Sequence, residues 1–127
     1  VPRRALVVDD NQDAAGTLAM ILQLLGHTTH CISDPHKVVA AVEAFAPDIV
    51  FLDIGMRGLS GYDVARRLRS LAANDGLTLV ALTGWGQPED RRRTAETGFD
   101  HHQVKPAELA AIQRICSSVA SRRRDSV

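Results

Sequence analysis

Ile49-Val50-Phe51-Leu52-Asp53 is the stretch on which the reading of this chain turns. Four apolar residues follow one another without polar alternation, the pattern of a strand buried on both faces in a parallel sheet. The run stops at a carboxylate, and Gly55, Gly58 and Gly61 then mark a loop. The same design recurs on either side. Ala5-Leu6-Val7-Val8 runs into Asp9-Asp10, residues 77–82 run into Thr83, and the short stretch His101–Val104 runs into Lys105-Pro106. A fifth strand, weakly marked because it is polar, spans residues 27–33. Between them the apolar spacing becomes helical. Leu18, Ile21, Leu22 and Leu25 form one face, stopped by Gly26. Asp34-Pro35 reads as an N-cap and first helical residue before Val38, Val42 and Phe45, with Pro47 as the stop. Val64, Leu68 and Leu71 define a third helix. Residues 89–97 define a polar fourth, stopped by Gly98, and Leu109, Ile112, Cys116 and Val119 a fifth. Five strands alternating with five helices predict an α/β fold, a five-stranded parallel sheet with helices on both faces and right-handed crossovers.

Composition agrees with a globular unit of this kind. The 127 residues suit one domain, with 45% hydrophobic and 24% charged residues. Fifteen basic residues balance fifteen acidic ones, so no overall field draws the chain to nucleic acid or anionic lipid. No apolar run approaches the ~20 residues of a membrane helix, and no signal-peptide pattern opens the chain. Cys31 and Cys116 lack metal-ligand spacing and read as reduced core or boundary residues of a cytosolic protein. The opening Val1-Pro2-Arg3-Arg4 lacks a Met, the expectation being a processed chain or a domain cut from a longer protein. The expected core is about residues 4–120, with a basic tail at 121–127 that frays.

The placement of the polar residues carries the chemistry. Asp9, Asp10, Asp53, Thr83 and Lys105 each stand at the end of an expected strand. In a parallel α/β sheet the strand C-termini share one edge, and sites form there. Three carboxylates, a hydroxyl and an ammonium should therefore meet. Three carboxylates resist joint ionisation unless a cation sits among them, and hard oxygen ligands suit Mg²⁺. One carboxylate can then attack phosphorus, while a lysine and a hydroxyl meet the charge on the equatorial oxygens.

Five stretches match a known pattern: Val7-Val8-Asp9-Asp10-Asn11, Phe51-Leu52-Asp53-Ile54-Gly55-Met56, Gly61-Tyr62-Asp63-Val64-Ala65, Ala81-Leu82-Thr83-Gly84 and Val104-Lys105-Pro106. In this order and spacing the chain resembles the receiver domains of two-component response regulators over essentially its whole length. The resemblance implies a flavodoxin-like sheet of order 2-1-3-4-5. It implies Asp53 as phosphoacceptor, Asp10 as a direct Mg²⁺ ligand, Asp9 as holder of a metal-bound water, and the Gly55 carbonyl as a further ligand. It implies Thr83 and Lys105 as binders of the phosphoryl oxygens, and a cis Lys105-Pro106 bond. The function it implies is Mg²⁺-dependent transfer from a phosphohistidine, on a histidine kinase or histidine phosphotransfer domain, to Asp53, followed by slow autodephosphorylation. The receiver would thus be a signalling domain that catalyses its own phosphorylation rather than an enzyme acting on a separate substrate. It would be cytoplasmic, alone or as the cytosolic part of a membrane-attached sensor kinase, with no nucleic-acid binding of its own and no membrane insertion. Asp53-Ile54-Gly55-Met56 and residues 82–90 resemble the receivers of hybrid sensor histidine kinases. The donor is expected to dock on the first helix, around Ala14 and Thr17.

Three positions depart from the family pattern. Arg57 stands where Pro is frequent and Ser60 where Asp is frequent. His102, the switch position three before Lys105, stands where Tyr or Phe is usual. Turning His102 inward costs desolvation that Tyr or Phe largely avoids. Plainer readings exist for each feature. Asp9-Asp10 alone would read as a helix cap, His101-His102 as two exposed histidines, Arg91-Arg92-Arg93 as a solvated helix face, and Trp85 as a loop residue beside the site. Alternatives for the whole chain are a docking or phosphate-sink module on a receiver fold, an Asp-nucleophile phosphatase of the haloacid dehalogenase type, and a flavodoxin-like cofactor binder. The phosphatase needs a second Asp where Gly55 stands, and the cofactor binder needs a first loop that does not repel phosphate as Asp9-Asp10-Asn11 would.

Overall fold

The central strand β3 (Ile49–Asp53) is buried along its whole length. It pairs in parallel with β1 (Arg4–Val8) on one side and β4 (Thr78–Thr83) on the other. Beyond these lie the edge strands β2 (Thr28–Ile32), next to β1, and β5 (His101–Val104), next to β4. The order is 2-1-3-4-5, all parallel. This computed structural model describes residues 2–56, 59–71, 76–84, 92, 96–106 and 108–119.

Alternate strand residues face opposite layers, as the twofold pleat requires. Leu6, Val8, Val50, Leu52, Leu79 and Ala81 pack against α2 (Val38–Phe45) and α3 (Gly61–Arg69) through Val38, Val42, Val64 and Leu68. Ala5, Val7, Ile49, Phe51, Val80 and Leu82 pack against α1 (Gln12–Leu24) and α4 (Leu109–Ser117) through Leu18, Leu22, Ile112 and Cys116. Two apolar layers on one sheet explain why the inner strands carry no polar alternation. Among the described residues no helix is long and apolar enough to cross a membrane.

Several boundaries differ from the sequence expectation for local reasons. Asp34 accepts from the His36 N–H, but the turn it caps is a short 3₁₀ segment, Pro35–Lys37, that leads into α2. α2 stops before Pro47 through Ala46, a non-glycine residue at φ 52° whose N–H returns to the Val42 carbonyl. Gly61 is the first residue of α3 rather than part of the preceding loop. Thr83 belongs to β4, and Leu77 lies just before that strand. Leu71 and Leu109 are partly solvent-exposed, and Val119 is buried beyond the end of α4. Four α-helices stand among the described residues. Residues 85–91 and 93–95, which hold most of the expected polar helix, lie outside them, as do the 121–127 tail and Arg57. Both cysteines are free. Cys116 is buried, which pushes its thiol up to about 11, whereas Cys31 is exposed rather than in the core.

Gly16 sits in the interior of α1, and a Cβ there would meet nothing within 4 Å. Gly16→Ala should therefore stabilise the protein by about 0.5–1 kcal/mol through backbone entropy alone. Urea titration should show a higher midpoint at unchanged slope. A lower midpoint would mean that the exposed face of α1 is more constrained than its open surroundings imply.

Candidate functional site at the carboxyl edge of the sheet

β1 and β3 end side by side, so Asp9 and Asp53 leave the sheet at one edge. Asp9 is 2% exposed and Asp53 7%, and burial of this depth requires partners for both carboxylates. Asn11 supplies part of the answer. Its side chain accepts from the Asp13 and Ala14 N–H groups and caps α1, while its own N–H donates to Asp9 Oδ1 at 3.0 Å. The cap of α1 is thus Asn11, neither Asp9 nor Asp10, which leaves the reading of those aspartates as a helix cap without support. Oxygens of Asp9, Asp10 and Asp53 all lie within 4.8 Å of one another, with Asp10 on the exposed side.

Lys105 enters from the end of β5. Its backbone N–H donates to the Thr83 carbonyl at 2.7 Å, and its bond to Pro106 is cis. Its Nζ donates to Asp9 Oδ2 at 2.7 Å and lies 3.3 Å from Asp53 Oδ2. Asp53 Oδ1 accepts from the Gly55 N–H at 2.9 Å. Gly55 is therefore held against Asp53 by its backbone.

The electrostatics follow from these distances. Burial, the largest influence, raises the Asp53 pKa above its ordinary value, and Asp9 adds to the rise. The Gly55 N–H and Lys105 oppose it without reversing it. For Lys105 burial favours the neutral amine, but the Asp9 hydrogen bond and the Asp53 and Asp9 charges together outweigh it and raise the pKa. One ammonium against three carboxylates leaves excess negative charge. The donor set, all hard carboxylate oxygens with one member open to solvent, fits a divalent cation such as Mg²⁺.

Thr83 ends β4 and is buried. Its Oγ1 lies 2.8 Å from His102 Nε2. The expectation of two exposed histidines is corrected here, since both His101 and His102 are half-buried. The β4–β5 register pairs Ala81 with His102 and Thr83 with Val104, which puts Thr83 and His102 on one face of the sheet as diagonal neighbours. Spacing from Lys105 alone did not reveal that contact; the register did. Ser60 caps α3 by accepting from the Asp63 N–H. Ser and Asp are comparable caps, so Ser60 keeps the capping role of an Asp there. Trp85, Arg91 and Arg93 lie outside the described residues, and Arg92 is helical and exposed.

Comparison with known proteins agrees with the geometry. A family model described as response regulator receiver domain matches residues 5–117. The gliding motility regulatory protein of Myxococcus xanthus is 32% identical over 102 residues, 80% of this chain but 13% of that protein. The DNA-binding response regulator MtrA of Mycolicibacterium smegmatis is 36% identical over 104 residues, 82% of this chain and 44% of that protein. The chain thus spans less than half the length of these relatives. Among solved structures, the receiver domain of the sensor histidine kinase PA1611 from Pseudomonas aeruginosa, with a magnesium ion coordinated in its active-site cleft, superposes with a TM-score of 0.81 at 25% identity, covering 91% of this chain and 94% of that one. With its five-stranded parallel sheet, the acidic cluster at the carboxyl edge of that sheet and a family match over most of its length, this chain belongs to the response regulator receiver domains of two-component signalling.

Proposed function

We propose that this receiver accepts a phosphoryl group on Asp53 from a phosphohistidine, in a Mg²⁺-dependent reaction of which the domain is both catalyst and product. The observation that carries the reading is Lys105 Nζ held between Asp9 and Asp53 beside a third carboxylate. Asp9, Asp10, Asp53 and the Gly55 carbonyl would hold the cation. Bound Mg²⁺ supplies charge neutralisation for an incoming phosphoryl group that three carboxylates would otherwise repel. The residues do the rest. Asp53 Oδ2, on the lysine side, forms the O–P bond as the P–N bond of the donor breaks. The released imidazole nitrogen keeps the electron pair and takes a proton from solvent. The Gly55 N–H fixes Oδ1 and with it the carboxylate plane. Lys105 turns from Asp9 and Asp53 to the phosphoryl oxygens, together with the Thr83 hydroxyl. Hydrolysis of the acyl phosphate, slow in this reading, resets Asp53. A dedicated Asp-nucleophile phosphatase is disfavoured because Gly55 offers no acid/base at the position such enzymes use.

Acetyl phosphate with Mg²⁺ should modify the peptide carrying Asp53 and no other, as mapped by mass spectrometry, and chelation should abolish the modification. Modification elsewhere, or modification without metal, would overturn the assignment.

The partner in this reading is a histidine kinase or histidine phosphotransfer domain that reaches Asp53 from the edge where the strands end. Ala14, Thr17 and Ile21 of α1, with Pro106, line an apolar cleft of about 400 Å³ that opens onto Asp9 and Lys105. The cleft therefore joins the reactive group to a helix face. Ala14→Glu should slow transfer from a phosphohistidine donor by about tenfold or more, the size of a hot-spot loss, and leave labelling by acetyl phosphate unchanged. Equal slowing of both reactions would show damage to the pocket instead of lost docking. In this reading the domain works in the cytoplasm and does not itself bind nucleic acid.

A further inference from the structure

We propose that the cleft at the amino edge of the sheet, between the C-terminal ends of α1 and α4, binds a small oxyanion, either a carboxylate or a phosphate-like tetrahedral dianion. It lies at the opposite end of the strands from Asp53, since Arg3 and His27 precede β1 and β2. The inference does not depend on the phosphoacceptor reading.

Arg3 is held in place before any ligand arrives. Its backbone N–H donates to His27 Nδ1 at 2.9 Å, and its carbonyl accepts from the Thr28 N–H at 3.0 Å. Its side chain is fixed as well, with Nε donating to the Val119 carbonyl at 2.7 Å and Nη1 to the Pro2 carbonyl at 3.2 Å. Those bonds use only part of the guanidinium fork, which has five N–H donors. Among the described residues Nη2 has no hydrogen-bond partner and the charge has no carboxylate partner. A guanidinium in this state matches the geometry of an oxyanion, and its prior ordering lowers the entropy lost on binding.

The rest of the cleft, about 330 Å³ in volume, completes the donor set. Burial first, then the chain's amino terminus and Arg3, lowers the His27 pKa, so the ring is neutral at neutral pH. Its Nδ1 accepts the Arg3 N–H, which puts the ring proton on Nε2. Gln113 and Ser117 stand one turn apart on the exposed side of α4. The Ser117 hydroxyl donates to the Gln113 carbonyl at 2.8 Å, so the Gln113 amide is the donor this pair offers. Leu25 and Cys116 supply apolar wall, and the Cys116 thiol, pushed up to about 11 by burial, carries no charge at neutral pH. No carboxylate lines the cleft among the described residues. The last carbonyls of both helices oppose an anion, but two of those nearest are already bonded, that of Val119 to Arg3 and that of Leu22 to the His27 N–H at 3.0 Å. Closing the end of α4 accounts for Arg3 Nε. It does not account for an uncompensated guanidinium beside two further N–H donors.

The test follows ¹H–¹⁵N spectra of the full chain during titration with sodium sulfate or sodium acetate, with chloride holding ionic strength constant. The protein is kept free of metal, so that the three carboxylates at the other edge repel added anions. Saturable shifts are expected at Arg3, His27, Gln113 and Ser117, with a Kd of about 1 mM for the preferred anion. Tighter sulfate binding assigns the phosphate-like ligand, and tighter acetate binding assigns the carboxylate. The His27 ring should also titrate at higher pH with the bound anion than with chloride alone, because the anion offsets the Arg3 charge. Gln113→Glu places a carboxylate at the cleft from an exposed position. It should weaken binding by about tenfold or more with an unchanged denaturation midpoint. Arg3→Lys, which keeps the charge but loses the fork, should weaken it as well. Shifts that grow linearly with salt, shifts equal to those in chloride, or shifts confined to residues around Asp53 would overturn the proposal. So would a Gln113→Glu protein that binds as tightly as wild type.

Discussion

Asp53→Asn is expected to reduce phosphoryl labelling to background while the protein, kept free of metal, melts at a higher temperature than wild type at neutral pH. The first effect is chemical. An amide retains the shape of the side chain and an oxygen that can accept the Gly55 N–H, but it is not a nucleophile toward phosphorus. The second effect is electrostatic. Asp53 is buried next to Asp9, and burial first, then Asp9, raises its pKa above the unfolded value. A carboxylate with a raised folded-state pKa contributes its full stabilisation only below the unfolded pKa and loses it as pH rises through the folded one. At neutral pH the ionised Asp53 therefore costs stability, and the asparagine removes that cost. The gap between variant and wild type should narrow as pH falls toward the ordinary carboxylate range. Added Mg²⁺ should stabilise wild type more than the variant, which has one carboxylate fewer for the ion. Thermal melts with chelator and with Mg²⁺ across this pH range, beside acetyl phosphate labelling, check all three results. Labelling that persists in Asp53→Asn would remove Asp53 from the centre of the mechanism. Lower stability of the chelated variant at neutral pH would mean that Lys105 depends on the Asp53 charge more than Asp53 suffers from Asp9.

Gly61→Ala should be the costliest single methyl group in the described part of the chain. A Cβ at Gly61 would stand 2.6 Å from Ile54 Cα and 2.7 Å from the Asp53 carbonyl oxygen. Both are backbone atoms, so no side chain can rotate away. Relief requires α3 to shift from the loop that follows β3. Gly61 is also where that loop is fastened, since its N–H donates to the Ile54 carbonyl at 3.4 Å. Overpacking of this kind costs about 1–3 kcal/mol, and here the displaced atoms adjoin the phosphoacceptor. Denaturant midpoints should fall accordingly, and the acetyl phosphate labelling rate should fall with them because the Asp53 carboxylate loses its fixed orientation. Gly16→Ala, where the added methyl meets open space, is the control. A Gly61→Ala protein as stable as wild type would show that the α3 junction yields more easily than close backbone contact implies.

Much of this molecule is legible without coordinates because its signals are local or periodic. Ile49, Val50, Phe51 and Leu52 read as a doubly buried strand because both faces of a parallel sheet are covered, and the glycines that follow Asp53 bound the run at strand length. The convergence of Asp9, Asp10, Asp53, Thr83 and Lys105 on one edge follows from parallel strands with helical crossovers, since every strand then ends on the same side. The resemblance to receiver domains added the strand order, which the paired registers bear out.

The tertiary structure decided what depends on distances between strands and on competition among neighbours. Asn11, adjacent to two aspartates that cap equally well by propensity, took the N-cap, while its own N–H bonds Asp9. Lys105 came to rest closer to Asp9 than to Asp53, a choice between two carboxylates that sequence order cannot rank. Gly61, a loop glycine by composition, is packed against backbone where Gly55 is not, and the approach of α3 to the end of β3 distinguishes the two. Likewise the Thr83–His102 bond exists because parallel register sets Ala81 opposite His102 and so makes Thr83 its diagonal neighbour on the same face. Periodicity tells which face of an element is buried. Register and helix approach, each a sum of many weak contacts spread along the chain, tell which atoms meet.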